Sequence, residues 1–196
     1  MCGIAGLFLP HQAKDKSADI SAMLQVMAHR GPDSEKIYQS SNRRFQAGFK
    51  RLAIIDLETG EQPIVEDGNR RVLLCNGEIY NYKELKRTPE TQNYSYQSNG
   101  DVEVILPLHS AHGNEFVNLL NGMFAIALYE SDTHRLTLTR DRLGIKPLYW
   151  AEVNGGGIIF ASEIKPLLVS GLIHTAVDEQ AVSSYLAHGY VPAPNT

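Results

Sequence analysis

The spacing of hydrophobic and polar positions changes several times along the chain. Residues 2–9 form a short, apolar, turn-bounded run, the signature of a buried strand. Over residues 17–29 the apolar positions Ile20, Met23, Leu24 and Met27 fall at helical spacing, with Ser17 or Asp19 placed as N-cap. Arg30-Gly31-Pro32-Asp33 breaks that helix. Strand-like stretches follow at 36–39 and 45–55, and a third at 71–75 runs into the turn signal Asn76-Gly77. The pattern predicts a short helix over 82–86 and a longer one from Asp101 to about Ala111, which Pro107 should kink or end early. Residues 123–140 alternate strictly on both sides of Ser131-Asp132-Thr133, which predicts an antiparallel hairpin. A second hairpin spans 147–153 and 157–161, turning at Asn154-Gly155-Gly156, before short helices at 162–168 and 178–186. Hairpin-linked strands with helices between groups of them define an α+β protein with largely antiparallel sheets.

Composition narrows the function classes. The chain has 196 residues, 43% hydrophobic and 20% charged, as in an ordinary globular protein of one domain with the start of a second. Its net charge of -4 comes without a dense basic cluster, which argues against a nucleic-acid surface. No 18-residue apolar run suggests a membrane span, and no basic residue precedes the apolar start as a secretory signal requires. Two cysteines make no disulfide framework and suit a reducing, cytoplasmic setting. The seven histidines form no Cys/His cluster and no His-Glu-x-x-His, so no metal is expected. Gly155-Gly156-Gly157 lacks the Lys-Ser/Thr of a phosphate loop.

Four places carry candidate chemistry, each with a plainer alternative. Cys2 is either a small buried hydrophobe or, once an aminopeptidase removes Met1, an N-terminal residue bearing a thiol and a free amine. An α-amine titrates at about 7.7–8.0, so part of it is neutral at pH 7 and can act as the thiol's base. Asn76-Gly77 is a turn signal, yet a side-chain amide beside an open glycine N–H is also a pair of oxyanion donors. Arg51 and Asp101 read as a salt-bridge partner and a helix cap, or together as a clamp for the carboxylate and ammonium of an amino acid.

The runs Met1-Cys2-Gly3-Ile4-Ala5-Gly6, His29-Arg30-Gly31-Pro32-Asp33, Arg51-Leu52-Ala53-Ile54-Ile55-Asp56 and Asn76-Gly77-Glu78-Ile79-Tyr80-Asn81 occur in order. Gly122-Met123-Phe124-Ala125 and Arg140-Asp141-Arg142-Leu143-Gly144-Ile145-Lys146-Pro147-Leu148-Tyr149 follow at suitable spacing. Together they resemble the N-terminal glutaminase domain of glutamine-hydrolysing asparagine synthetases, class II amidotransferases among the N-terminal-nucleophile (Ntn) hydrolases. Phe49 and Val102 depart from residues common at those positions in that family.

The resemblance implies a four-layer αββα sandwich with two largely antiparallel sheets. It implies Cys2 as nucleophile and Asn76 with the Gly77 N–H as oxyanion hole. Arg51, helped by the backbone of Leu52, Ala53, Ile54 and Ile55, would hold the glutamine α-carboxylate; Asp101, with Glu78 beside it, would hold the α-ammonium. The reaction would proceed through a glutamyl thioester and need no cofactor. ATP and Mg²⁺ belong to a C-terminal synthetase domain, so residues 1–175 are expected to form the glutaminase and 176–196 a linker into that domain or toward a partner subunit. A homodimer is compatible with the resemblance. Coupling to another acceptor (a sugar, peptide or antibiotic precursor) and a silent interaction domain stand as alternatives. Residues 140–149 and the Arg30-Gly31-Pro32 turn, which glutamine binding leaves unexplained, are candidates for the domain junction, an ammonia path or simple packing.

Overall fold

The first strand shows how the layers arise. In β1 (Gly3–Phe8) side chains alternate between two faces. Ile4 and Phe8 enter a cluster with Phe45, Val72, Tyr129 and Phe160, whereas Ala5 and Leu7 pack with Met23, Leu24 and Ile159. A strand apolar on both faces must be covered on both faces, and here one cover is a second sheet and the other a helix layer. The computed structural model describes residues 1–9, 18–66, 68, 70–154 and 156–193.

A five-stranded sheet has the order β2-β3-β1-β9-β8, formed by β2 (Ser34–Gln39), β3 (Phe45–Arg51), β1, β9 (Ile158–Ala161) and β8 (Tyr149–Glu152). A four-stranded sheet follows the order of the chain: β4 (Ile64–Val65), β5 (Arg71–Ile79), β6 (Gly122–Glu130) and β7 (Arg135–Arg140). Every pairing is antiparallel. Val72 and Leu74 of β5 face the first sheet, where Tyr129 stacks on Phe45 with ring centroids 4.5 Å apart. Leu73, Cys75 and Ile79 face the other way, onto α3 (Ile105–His112) and α2 (Tyr82–Leu85). Helices α1 (Ile20–Gln25) and α4 (Ile164–Val169) cover the outside of the first sheet. The result is the four-layer αββα sandwich expected. Among the described residues no helix is long and apolar enough to cross a membrane.

Local departures from the sequence reading have physical causes. The helix at 17–29 is shorter: Asp19 caps α1 through the Ala22 N–H, a separate 3₁₀ turn occupies Ala28–Arg30, and Ser17 lies outside the described residues. The strand expected over 45–55 ends at Arg51, and 52–55 leave the sheet for the cleft described below. Pro107 neither kinks nor shortens its helix. It is the third residue of α3, in the first turn, where a missing N–H breaks no helical bond. The two-residue β4 was not anticipated. Helix α5 (Glu179–His188) forms as expected, capped by Asp178 and ended by Gly189 at φ +75°. Gly155 and Pro194 lie outside the described residues.

The most consequential departure is at Asn76-Gly77, which is not a turn. β5 continues through it to Ile79, with Asn76 paired to Ala125 and Gly77 to Phe124. A Cβ on Gly77 would lie 2.1 Å from Met123 O and 2.6 Å from Phe124 Cα. Glycine is needed there because β6 approaches too closely for any side chain.

Candidate active site

Cys2 lies just before the β1 ladder, which starts at Gly3 opposite Lys50. Its thiol rests against the point where the chain leaves β3: Leu52 N–H points at Sγ from 3.4 Å and Leu52 O lies 3.5 Å away. A cleft opens in front of Cys2. Its walls hold Arg51, Leu52, Ile54 and Ile55 on one side, and Asn76, Gly77, Glu78 and Asp101 on the other. Met1 also stands on its rim, 55% exposed.

The β5 wall follows from strand alternation. Asn76 shares the parity of Val72 and Leu74, so its side chain enters the inter-sheet layer against which Cys2 packs. It is buried, and among the described residues its Nδ2 has no hydrogen-bond partner. Along the edge of β5 beyond β4, the backbone groups of alternate residues are claimed in turn. The Gln62 amide accepts from Cys75 N–H at 2.7 Å and donates to Cys75 O at 3.2 Å, completing the ladder where β4 has ended. Asp101 Oδ2 accepts from Ile79 N–H at 2.6 Å. Gly77 sits between these two positions on the same edge and lines the cleft. The cleft beside the Cys2 thiol is thus lined by an unpartnered amide donor and an edge glycine, donor types that can hold an oxyanion.

Asp101 does not cap the helix that follows it; its carboxylate is turned back onto β5. Burial pushes its pKa up, the charge of Glu78 adds to this, and the Ile79 N–H bond opposes it. A cation arriving in the cleft would relieve that penalty, as the ammonium of an amino acid does. Arg51 is buried, and its guanidinium donates to Glu61 Oε1 at 2.9 Å, to Leu57 O at 3.3 Å and to Asp56 O. Those three bonds fix the fork and occupy three of its five donors.

Of the backbone stretch beside Arg51, Leu52, Ile54 and Ile55 line the cleft. The Ala53 N–H is already given to Asp33 Oδ2 at 2.7 Å. The opposite rim, residues 97–100, is tied down from several directions. Glu103, fully buried, accepts from Gln97 N at 2.8 Å, Ser98 N at 2.7 Å and Ser98 Oγ at 2.6 Å. Lys86 Nζ donates to Gly100 O at 2.8 Å, and Asp56 Oδ2 accepts from Asn99 N at 2.9 Å.

Gln62, Glu103 and Lys146 belong to the site or its support and were missed in the sequence. Lys146 reaches the cleft wall from a loop folded on Asp141, whose carboxylate accepts from Ile145 N at 2.8 Å, Lys146 N at 3.0 Å and Phe124 N at 3.2 Å. Burial alone would raise the Asp141 pKa, but these N–H bonds outweigh it and hold the carboxyl below its ordinary value. The signal for Lys146 was its place in the run 140–149; for Gln62 and Glu103 no local signal exists. Among the described residues no group of three or more His, Cys, Asp or Glu side chains could hold a metal ion.

Two antiparallel sheets between helix layers, with the cleft at the very start of the central strand, place the chain in the αββα class of folds. The glutamine phosphoribosylpyrophosphate amidotransferase of Bacillus subtilis superposes with a TM-score of 0.67 at 19% identity, over 89% of this chain and 44% of that one. An allosteric regulatory enzyme of purine biosynthesis gives 0.72 at 20%, with the same coverages of 89% and 44%. At such identities the likeness establishes the fold. Within that class the chain belongs to the glutamine amidotransferase domain family, which its residues 1–196 match throughout. Asparagine synthetase [glutamine-hydrolyzing] 1 of Bacillus subtilis is 38% identical over 199 residues, covering 100% of this chain and 31% of that protein. Asparagine synthetase B [glutamine-hydrolyzing] of Escherichia coli is 38% identical over 187 residues, covering 95% and 33%. The chain therefore spans about a third of the length of these relatives.

Proposed function

We propose that the chain hydrolyses L-glutamine to glutamate and ammonia through a Cys2 thioester, and supplies the ammonia to an ATP-dependent, asparagine-synthetase-type domain that amidates aspartate. The observation that carries this reading is the buried, unpartnered Nδ2 of Asn76 opening on the same cleft as the Cys2 thiol. A buried donor left without a partner is unfavourable by about 1–3 kcal/mol, and an oxyanion formed at that place removes the penalty during reaction.

With Met1 removed, the Cys2 amine takes the thiol proton and the thiolate attacks the side-chain carbonyl carbon of glutamine. Negative charge develops on the carbonyl oxygen toward Asn76 Nδ2 and Gly77 N–H. As the tetrahedral intermediate collapses, the C–N bond breaks, the protonated amine returns its proton to the leaving nitrogen, and ammonia departs. Water, deprotonated by the same amine, then attacks the thioester; the thiol leaves with that proton and glutamate is released. Arg51 and Asp101 hold the two ends of the amino acid throughout, so the reacting carbon is fixed against Sγ. Residues 1–175 carry this chemistry, and 176–196 lead toward the acceptor domain. Leu143 (85% exposed) and Ile145 (53%), on the loop that brings Lys146 to the cleft, give that domain an apolar surface to cover.

The test is N-terminal processing. Protein whose mass shows a chain beginning at Cys2 should release glutamate and ammonia from glutamine. Protein that keeps Met1, whose Cys2 nitrogen is then an amide without useful basicity, should not. Full turnover with Met1 retained would overturn the mechanism.

A further inference from the structure

One buried charge on the cleft wall takes no part in the glutamine chemistry. Lys146 is 7% exposed and lines the cleft together with Cys2, Asn76 and Asp101. Among the described residues its ammonium has no ion pair and no hydrogen bond. Its backbone is engaged on both sides, the N–H by Asp141 Oδ2 at 3.0 Å and the carbonyl by Arg140 Nε at 2.7 Å, so only the ammonium is left to a ligand. We propose that Lys146 is the binding group for the carboxylate that glutamine hydrolysis creates, so that the cleft holds glutamate more tightly than glutamine; the proposal rests on the glutaminase reading of the cleft.

The placement of Lys146 follows from its loop. Asp141 Oδ2 accepts from both Lys146 N and Phe124 N, and Phe124 stands opposite Gly77 on β5. The backbone of Lys146 is therefore docked one strand away from the Asn76-Gly77 wall. Leu148, two residues on, joins the inter-sheet cluster against which Cys2 packs. The Cys75 thiol, pushed up by burial and by the charges of Asp101 and Cys2, is drawn back down by Lys146. Asp101, by contrast, has Glu78 and Lys86 as its charged neighbours. With Arg51 and Asp101 taking the α-carboxylate and α-ammonium, Lys146 stands with Cys2 and Asn76, where the side-chain end of the amino acid reacts.

Charge at that end of the ligand changes during the reaction. The glutamine side chain ends in a neutral amide, and loss of ammonia followed by hydrolysis leaves a carboxylate in its place. An ammonium in a largely buried position has lost part of its hydration, and a carboxylate restores what a neutral amide cannot. The two acidic side chains of the cleft wall, Glu78 and Asp101, form no ion pair with Lys146, so the cation is not already neutralised. The α ends of glutamine and glutamate are identical and cannot tell the two apart. Lys146 therefore separates product from substrate by a single charge. Glutamate accumulating around the protein then occupies the cleft and slows turnover.

The experiment measures binding of L-glutamate and L-glutamine by calorimetry to a processed Cys2→Ala chain, which cannot turn either over. Lys146 is kept, or changed to Met or Arg, and thermal melting reports folding of each variant. With Lys146 kept, glutamate should bind more tightly than glutamine; the reverse order overturns the proposal with no substitution at 146. Lys146→Met keeps a stem of similar length and removes the charge. It should weaken glutamate by about 10–100-fold, the worth of a charge-assisted bond, and glutamine by less than about twofold. Lys146→Arg keeps the charge and should stay within about threefold of the parent for both. In the active chain, inhibition by glutamate should weaken in Lys146→Met by the same factor as its binding. Equal weakening of both amino acids by Lys146→Met, or weakening of neither, makes Lys146 a packing residue and overturns its role alone. Failure of the parent to bind either amino acid would instead remove the glutaminase reading, and the proposal with it.

Discussion

Two cysteines line the same cleft and differ in almost every respect that governs a thiol. Cys2 stands at the open end of β1, partly exposed, with its sulfur against a loop backbone. Cys75 is in the middle of β5, 1% exposed, with both backbone groups taken by the Gln62 amide and its side chain in the apolar layer under α3. Burial pushes the Cys75 thiol well above its ordinary value, and nearby Asp101 and Cys2 add to the shift. A thiolate is hard to form there, so a place on the cleft wall does not make Cys75 reactive. Position within a strand, at its end or in its interior, separates a thiol open to the cleft from one confined by packing.

The largest test of this contrast is substitution of each cysteine in turn. Cys2→Ala should abolish glutamine hydrolysis and labelling by glutamine-like electrophiles while leaving the melting temperature nearly unchanged. Cys75→Ala should keep turnover and lower stability by about 1–2 kcal/mol through the small cavity it leaves. A Cys75→Ala variant that is inactive yet folded would reverse the assignment.

Next in size, Asn76→Ala should lower kcat by about 10²–10³ with a smaller change in KM, because its amide acts on charge that develops only during reaction. It should also be among the few substitutions here that remove a buried unsatisfied donor. A drop confined to KM would place Asn76 in ground-state binding instead.

The smallest effect on turnover and the sharpest on pH is expected at Asp101. Asp101→Asn keeps an acceptor for Ile79 N–H but loses the charge, and should raise the glutamine KM by about 10–100-fold, from the 1.5–3 kcal/mol of a charge-assisted bond. The folded pKa of Asp101 is raised, so its ionised form opposes folding above that pKa, and the opposition vanishes as pH falls below it. The variant should therefore melt higher than the parent at pH 7, and the difference should close under acid conditions. In the parent, glutamine affinity should weaken as pH falls, beginning above the range of an ordinary aspartate. Urea titrations and KM measured across pH check both directions.

Much of the site was legible because the chemistry sits in short contiguous runs. Cys2 stood out as a thiol at the chain start, Asn76-Gly77 as a donor pair, and Arg51 and Asp101 as single charges beside apolar runs, and the cleft gathers all five. What sequence could not supply was support from a distance. Gln62 acts as a substitute strand residue, Glu103 as an anchor for three donors, and Glu163 as the partner of Arg30, 133 positions earlier. None of these roles leaves a periodic trace. The glycine of Asn76-Gly77 misled for a related reason: its local preference is a turn, and only the close approach of β6 shows why it stands inside a strand.

The place of β1 in its sheet also has a bearing on synthesis. It is the central strand, yet its neighbours are β3, which begins at Phe45, and β9, which begins at Ile158. At 5–20 residues per second, a ribosome needs roughly 8–30 s to reach the second of them. During that interval the start of the chain has at most one edge paired and remains open to an exopeptidase. Because β9 pairs only with residues 5–8 of β1, and Met1 is 55% exposed in the finished fold, that access persists after the last strand is in place.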